Sequence, residues 1–158
     1  MELRGDSSTG YAHKSWVQIS WSEYNETNGE TRPSVGDIDG DGMPELVVGL
    51  GTGSGGWIEI FDDAKSGYAH LAWTRVSFDD YNKANGETRP LVVDIDGDGK
   101  KEIVVGLGKG GNGWIEILGD ASSGYAHKAW LQVPWAGYNS GNGSVLPAIH
   151  VPTAALAP

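Results

Sequence analysis

The stretch Asp37-Ile38-Asp39-Gly40-Asp41-Gly42-Met43-Pro44-Glu45 returns as Asp94-Ile95-Asp96-Gly97-Asp98-Gly99-Lys100-Lys101-Glu102, and its reading decides the fold. Each copy sets carboxylates at positions 1, 3, 5 and 9 of a tight loop that also carries glycines. That spacing suits a hard cation taking oxygen ligands, and calcium is the natural occupant. Without a cation, so many like charges in so short a loop repel one another even where water screens them.

Outward from each loop the chain repeats with a period of 57 residues. Gly10-Tyr11-Ala12-His13 returns at Gly67 and Gly124, and Trp16 returns as Trp73 and Trp130. Tyr24-Asn25 returns as Tyr81-Asn82 and Tyr138-Asn139. The pattern predicts four strands per repeat. Strand a covers Ser34 to Asp37 and Leu91 to Asp94, with the acidic loop as its turn. Strand b is the apolar run Glu45 to Leu50 or Glu102 to Leu107, expected to be covered on both faces. After a glycine-rich turn, strand c covers Trp57 to Phe61 or Trp114 to Leu118, where Glu59 and Glu116 suggest a more exposed face. Strand d, half-buried by its alternation, covers Trp16 to Trp21, Trp73 to Phe78 and Trp130 to Trp135.

Four short strands with turns between them and no helical period fit an all-β fold of β-propeller blades, each with four antiparallel strands. The main rival, a parallel β-helix, has shorter coils and more closely spaced glycine-aspartate motifs. The phase of the repeat divides the chain into a partial blade (1–33, strands c and d), two complete blades with acidic loops (34–90 and 91–147) and a partial strand a with a tail (148–158). A fresh strand a is expected near Ser144 to Val151, but no third acidic loop follows it. Two complete blades and two fragments do not close a ring, so oligomerisation is expected to complete it. In a homodimer, the C-terminal strand a, with Ala154 to Leu156 in place of strand b, would join strands c and d of a second copy to give six blades. The plainer alternative is a fragment of a longer propeller chain.

The loop and the Leu-Val-Val-Gly or Ile-Val-Val-Gly after it resemble the FG-GAP or VCBS repeat of integrin-α-like β-propellers, from Tyr11 to about Pro147. An EF-hand is excluded, because its twelfth position needs a glutamate and here falls on Val48 or Val105. The resemblance implies two calcium ions per chain, each between strands a and b. One would be held by Asp37, Asp39, Asp41, the Met43 carbonyl and Glu45, and the other by Asp94, Asp96, Asp98, the Lys100 carbonyl and Glu102. The family often has aspartate at the ninth position, where this chain has the longer glutamate. The ions are expected to be structural.

In an up-and-down meander the a–b and c–d turns share one face, and the b–c and d–a turns share the other. The second face carries Tyr24, Asn25, Glu30, Arg32 and Trp57, and again Tyr81, Asn82, Glu87, Arg89 and Trp114, aromatic platforms beside planar polar groups such as bind sugars. Turn chemistry, ion pairing and packing between blades are the stronger explanation of these residues. His13, His70 and His127 are expected to bond turn backbone. No serine or cysteine stands against a histidine as a nucleophile, and catalysis has no visible machinery. Arg4-Gly5-Asp6 spells an adhesion tripeptide but reads as an ordinary start of the chain.

The 158 residues include 25 glycines and no cysteine, so no disulfide framework exists. The net charge of −10 is concentrated in the two loops, the remainder being close to neutral. No basic stripe for nucleic acid and no membrane-length apolar run is present. The N-terminus shows no signal-peptide pattern. The expected function is a calcium-stabilised, non-catalytic binding module for glycan or protein ligands, extracellular or at the cell surface. The glycan part is suggested by lectins within the resembled family. The alternatives are a purely structural or oligomerising repeat and an accessory portion of a secreted enzyme.

Overall fold

The computed structural model describes residues 1–149. Strand β1 (Glu2–Arg4) pairs with β2 (His13–Trp16) in a two-stranded sheet. A four-stranded meander follows, built from β3 (Thr31–Gly36), β4 (Glu45–Leu50), β5 (Trp57–Phe61) and β6 (His70–Arg75). A second comprises β7 (Thr88–Val93), β8 (Glu102–Leu107), β9 (Trp114–Leu118) and β10 (His127–Gln132). Every pairing is antiparallel, and the register repeats, Thr31 facing Leu50 as Thr88 faces Leu107. The described chain is therefore all-β, with propeller-like blades.

Packing follows from the apolar runs. All six residues of β4 and all six of β8 are buried. Alternation sends Leu46, Val48 and Leu50 to a core shared with Val17, Ile19 and Tyr24, while Val47 joins Val92, Ile103 and Val105 in the core on the other side. Each such aliphatic side chain contributes about 1.5–3 kcal/mol through burial. The glycine inside each run is required by close approach. A Cβ on Gly49 would lie 2.4 Å from the Thr88 carbonyl oxygen, and one on Gly106 would lie 2.5 Å from that of Val145. The chain that follows thus runs directly over the glycine of strand b, as β7 over Gly49 and as the segment at Val145 over Gly106.

Several boundaries differ from expectation. Strand d begins at His13, His70 and His127, three residues before the tryptophans, and ends earlier, at Trp16, Arg75 and Gln132. Strand a begins at Thr31 and Thr88, ahead of Pro33 and Pro90. The d–a connections hold short helices: α1 (Ser22–Thr27), α2 (Asp79–Ala84) and α3 (Ala136–Gly141). Each is only six residues long, too short to display a helical apolar period. What holds α1 and α2 is the tyrosine within each. The Tyr24 hydroxyl donates to the Glu30 carbonyl at 2.6 Å and accepts from Gly51 N–H at 2.7 Å, and Tyr81 does the same with Glu87 and Gly108, both at 2.7 Å.

Glu59 and Glu116 correct the expectation of an exposed strand c, because both are fully buried. Glu59 accepts from the Ser20 backbone N–H at 2.9 Å and from the Ser20 hydroxyl, and so ties the first sheet to the second. Glu116 accepts the same two bonds from Ser77, tying the second sheet to the third. A buried carboxylate is tolerated when donors surround it.

Residues 144–149 follow the route of an inner strand, with Val145 N–H donating to the Leu107 carbonyl at 2.8 Å, but they form no strand. The expected strand b stand-in at Ala154 to Leu156, and the end of the expected strand a, lie outside the described residues.

Candidate functional site

Each acidic loop leaves strand a, turns through glycines with positive φ (Gly40 +86°, Gly42 +88°, Gly97 +81°, Gly99 +89°) and returns into strand b. The side chains draw the backbone inward. Asp37 accepts from Gly40 and Gly42 N–H at 2.8 and 3.1 Å, Asp39 from Asp41 at 3.1 Å, and Asp41 from Met43 at 2.7 Å. In the second loop Asp94 accepts from Gly97 and Gly99 at 2.7 and 3.0 Å, Asp96 from Asp98 at 3.3 Å, and Asp98 from Lys100 at 2.8 Å. One carboxylate oxygen from each of Asp37, Asp39 and Asp41 falls within a 4.8 Å cluster, as does one from each of Asp94, Asp96 and Glu102. These clusters could hold a metal ion.

Glu45 and Glu102 close the loops from the first residue of strand b. Glu45 Oε2 accepts from Ile38 N–H at 2.8 Å, while its Oε1 is buried and has no hydrogen-bond partner among the described residues. Burial pushes the Glu45 carboxyl up from its ordinary value, partly opposed by the Ile38 N–H, and the charges of Asp39 and Asp37 push it further up. A buried carboxylate oxygen without a donor is costly, and a bound cation removes that cost. The donor set, all oxygen and mostly carboxylate, fits a hard cation. Glu102 Oε2 likewise accepts from Ile95 N–H at 3.2 Å, but its Oε1 lies 2.9 Å from Lys128 Nζ. Met43 and Lys100 meet their loops through backbone N–H, and Lys100 Nζ turns to Ser122 Oγ at 3.1 Å and Asp120 Oδ2 at 3.3 Å.

The first loop is walled by the next blade. Ala121 N–H donates to the Ile38 carbonyl at 3.3 Å, and burial pushes the Tyr125 hydroxyl up, with the charges of Asp39 and Glu45 adding to it. On the opposite side, α1 and α2 meet the glycine-rich turns. Asn28 Nδ2 donates to the Thr52 carbonyl at 2.7 Å, and Gly53 N–H donates to the Asn85 carbonyl at 2.7 Å.

Most of the polar residues expected to offer a ligand face are used within the fold. Tyr24 and Tyr81 are buried and doubly hydrogen-bonded. Asn25 and Asn82 donate to the Ile19 and Val76 carbonyls at 2.7 and 2.6 Å. Glu30, Arg32, Glu87 and Arg89 form one ion-pair chain across the two blades, with Arg32 2.6 Å from Glu30 and 2.9 Å from Glu87, and Arg89 2.6 Å from Glu87. Trp57 and Trp114 have a different position. They line clefts on the joints between blades, and these clefts repeat. One, of about 380 Å³, is formed by Trp21, Trp57 and Trp73 with Ser20, Ser22 and Glu23. The other, of about 300 Å³, is formed by Phe78, Trp114 and Trp130 with Ser77. Trp57 meets Trp73 edge-on with centroids 6.1 Å apart, and Trp114 meets Trp130 at 5.9 Å. Sequence reasoning missed Trp21, Trp73 and Trp130 as cleft residues. Their signal was the in-phase recurrence of the tryptophans, which packing explained equally well.

The histidines bond carboxylates and not turn backbone. His70 Nδ1 lies 2.9 Å from Glu59 Oε1, His127 Nδ1 2.9 Å from Glu116 Oε1, and His13 Nδ1 3.2 Å from Glu2 Oε1. Ser20 and His70 both bond Glu59, so the carboxylate stands between hydroxyl and imidazole. That order does not activate a serine nucleophile.

The family model of the FG-GAP-like repeat matches residues 37–105, from the first aspartate of the first loop into β8. Neither the curated proteins nor the solved structures include a match.

Proposed function

Starting from an FG-GAP-like repeat at residues 37–105, we propose that this chain is a calcium-stabilised, propeller-type binding module without catalytic activity, which takes glycans in the clefts between its blades. Asp37, Asp39, Asp41 and Glu45 would hold one calcium, and Asp94, Asp96, Asp98 and Glu102 the other, with the Met43 and Lys100 carbonyls as the family's remaining ligands. Bound there, the ion supplies charge neutralisation to a turn between paired strands, and so acts on stability. The orphaned Glu45 Oε1 is the observation that carries the calcium reading.

The duplicated clefts support the glycan reading. Edge-on tryptophan pairs beside serine hydroxyls, joined in the first cleft by Glu23, offer an apolar face with polar groups at its rim, and the cleft volumes fall at the small end of the ligand-pocket range. The interposition of Glu59 between Ser20 and His70 supports a non-catalytic role. The repeat type favours an extracellular or cell-surface setting, and among the described residues no helix is long and apolar enough to cross a membrane.

Chelation tests the calcium reading. EDTA should lower the melting temperature of the wild type, and Asp39→Ala with Asp96→Ala should abolish that dependence; a melt unchanged by EDTA refutes it. Trp57→Ala and Trp114→Ala should lose binding on a glycan array while keeping the β signal. Failure of the wild type to bind any glycan refutes the lectin reading.

Self-association is the second part of the proposal. Val35, on the first inner strand, is 60% exposed where its counterpart Val92 is 4% exposed, and Leu146 and Ile149 are 74% and 53% exposed at the other end of the stack. Apolar surface of this kind calls for a cover, and a second copy giving six blades in all would provide it. Light scattering that finds a stable monomer with an intact β signal refutes this.

A further inference from the structure

We propose that the two acidic loops differ in cation affinity because Lys128 serves the second as a built-in counter-ion: the loop at Asp37–Glu45 is the tight site and the loop at Asp94–Glu102 the weak one. The inference rests on the cation reading above and goes beyond it, since the repeated sequence alone makes the loops equal. Lys128 Nζ lies 2.8 Å from Asp96 Oδ2 and 2.9 Å from Glu102 Oε1, and both residues belong to the second loop's carboxylate cluster. Glu102 is 1% exposed, so this ammonium supplies the partner that its buried oxygen needs. In the first loop the equivalent oxygen, Glu45 Oε1, is buried and has none among the described residues.

The repeat supplies the control. One period before Lys128 stands Leu71, and the two occupy the same place in their strands, at the register shift between β9 and β10 and between β5 and β6. Leucine has no charge to offer Glu45. Lys100 and Lys101 line the same cleft as Asp37, Asp39 and Gly40 and act against the difference, but Lys100 Nζ turns to Asp120 Oδ2 at 3.3 Å and Ser122 Oγ at 3.1 Å, and among the described residues neither lysine forms an ion pair with a first-loop carboxylate. Exposure acts in the same direction as Lys128. Ile38 is 2% exposed behind the wall of the next blade, whereas Ile95 is 46% exposed. The variants below separate charge from exposure.

For a cation to use Asp96 and Glu102 together, Lys128 must give up both contacts, and charge-assisted bonds of this kind are the stronger ones. The second site is therefore expected to bind at least about tenfold more weakly than the first. The lysine also offsets part of the second loop's negative charge without metal, whereas among the described residues no lysine forms an ion pair with a first-loop carboxylate. A sequence reading of the ligand residues could not show this, because Lys128 lies 26 residues beyond Glu102 and reaches it only across the sheet.

Isothermal titration of the full, metal-free chain with calcium chloride tests the proposal. Two classes of site are expected in the wild type. Lys128→Met should tighten the weak class to within about threefold of the tight one, and Leu71→Lys should weaken the tight class by about tenfold. Melting temperature gives a second readout. The metal-free Lys128→Met protein should melt lower than metal-free wild type and gain more on adding calcium. Equal affinities in the wild type, or a weak class unmoved in Lys128→Met and a tight class unmoved in Leu71→Lys, overturn the inference while leaving calcium binding intact. Absence of binding at both loops overturns the calcium reading as well.

Discussion

Replacing Glu59 by alanine should cost far more than any surface glutamate, and the size of the loss follows from its partners. Glu59 is fully buried and accepts from Ser20 N–H at 2.9 Å, from the Ser20 hydroxyl and from His70 Nδ1 at 2.9 Å. Alanine leaves the Ser20 N–H with no acceptor at the joint between two sheets, a loss of about 1–3 kcal/mol for a buried donor. The cavity left by the side chain adds about 1–2 kcal/mol. A total of roughly 3–4 kcal/mol corresponds to a drop in melting temperature of roughly 10 °C for a chain of this size. Glu59→Gln retains shape and one acceptor, and should lose about 1–2 kcal/mol. The internal comparison is Glu2, one period earlier, which lies at the surface with Arg4 and His13 for partners. Glu2→Gln should change the melt little. Circular dichroism melts of the variants in the full chain, together with urea titrations, measure all three. A Glu59→Ala protein within about 0.5 kcal/mol of wild type would refute the clamp, since that is the range of ordinary surface substitutions.

Three further outcomes follow from the same geometry. Gly49→Ala and Gly106→Ala, whose new Cβ atoms would sit 2.4 and 2.5 Å from the carbonyl oxygens of Thr88 and Val145, should each destabilise by about 2 kcal/mol or more in urea titrations. Gly53→Ala, at φ +88° with nothing within 4 Å, should cost only about 1 kcal/mol. Burial pushes the Tyr81 hydroxyl up to about 12, with the nearby Glu87 charge adding to the shift against the Gly108 N–H. Because the folded value is raised, the stability linked to Tyr81 is full below the unfolded value near 10 and is lost as pH rises towards 12. Ultraviolet titration should therefore find Tyr81 ionising late, and Tyr81→Phe should reduce the late step by one tyrosine.

Strands b and c could be read to the residue because their signals are local. Glu45–Leu50, Trp57–Phe61 and their copies are apolar runs bounded by glycine turns, and no tertiary contact is needed to recognise them. The turns of the acidic loops were legible too, since carboxylate spacing and glycine positions lie within nine consecutive residues. Helices α1 to α3 were hidden because Tyr24 and Asn25 owe their places to Gly51 N–H and the Ile19 carbonyl, not to a periodic apolar stripe. The internal bonds of Tyr24, Asn25, Glu30 and Arg32 were hidden for a related reason: polar groups in a loop look available until their partners on neighbouring turns are known.

Repetition, strand class and the two carboxylate loops are properties of residues close together in the chain, and the amino-acid order alone determines them. Tertiary structure decided the rest. It buried Glu59 between Ser20 and His70, gathered Trp21, Trp57 and Trp73 at one cleft, and laid Lys128 against Glu102 Oε1 while leaving Glu45 Oε1 without a partner among the described residues. Each of these depends on which blade or strand stands next to which. A repeat of similar local pattern therefore yields acidic loops that are chemically unequal, because the charge around a loop is set by everything that packs against it.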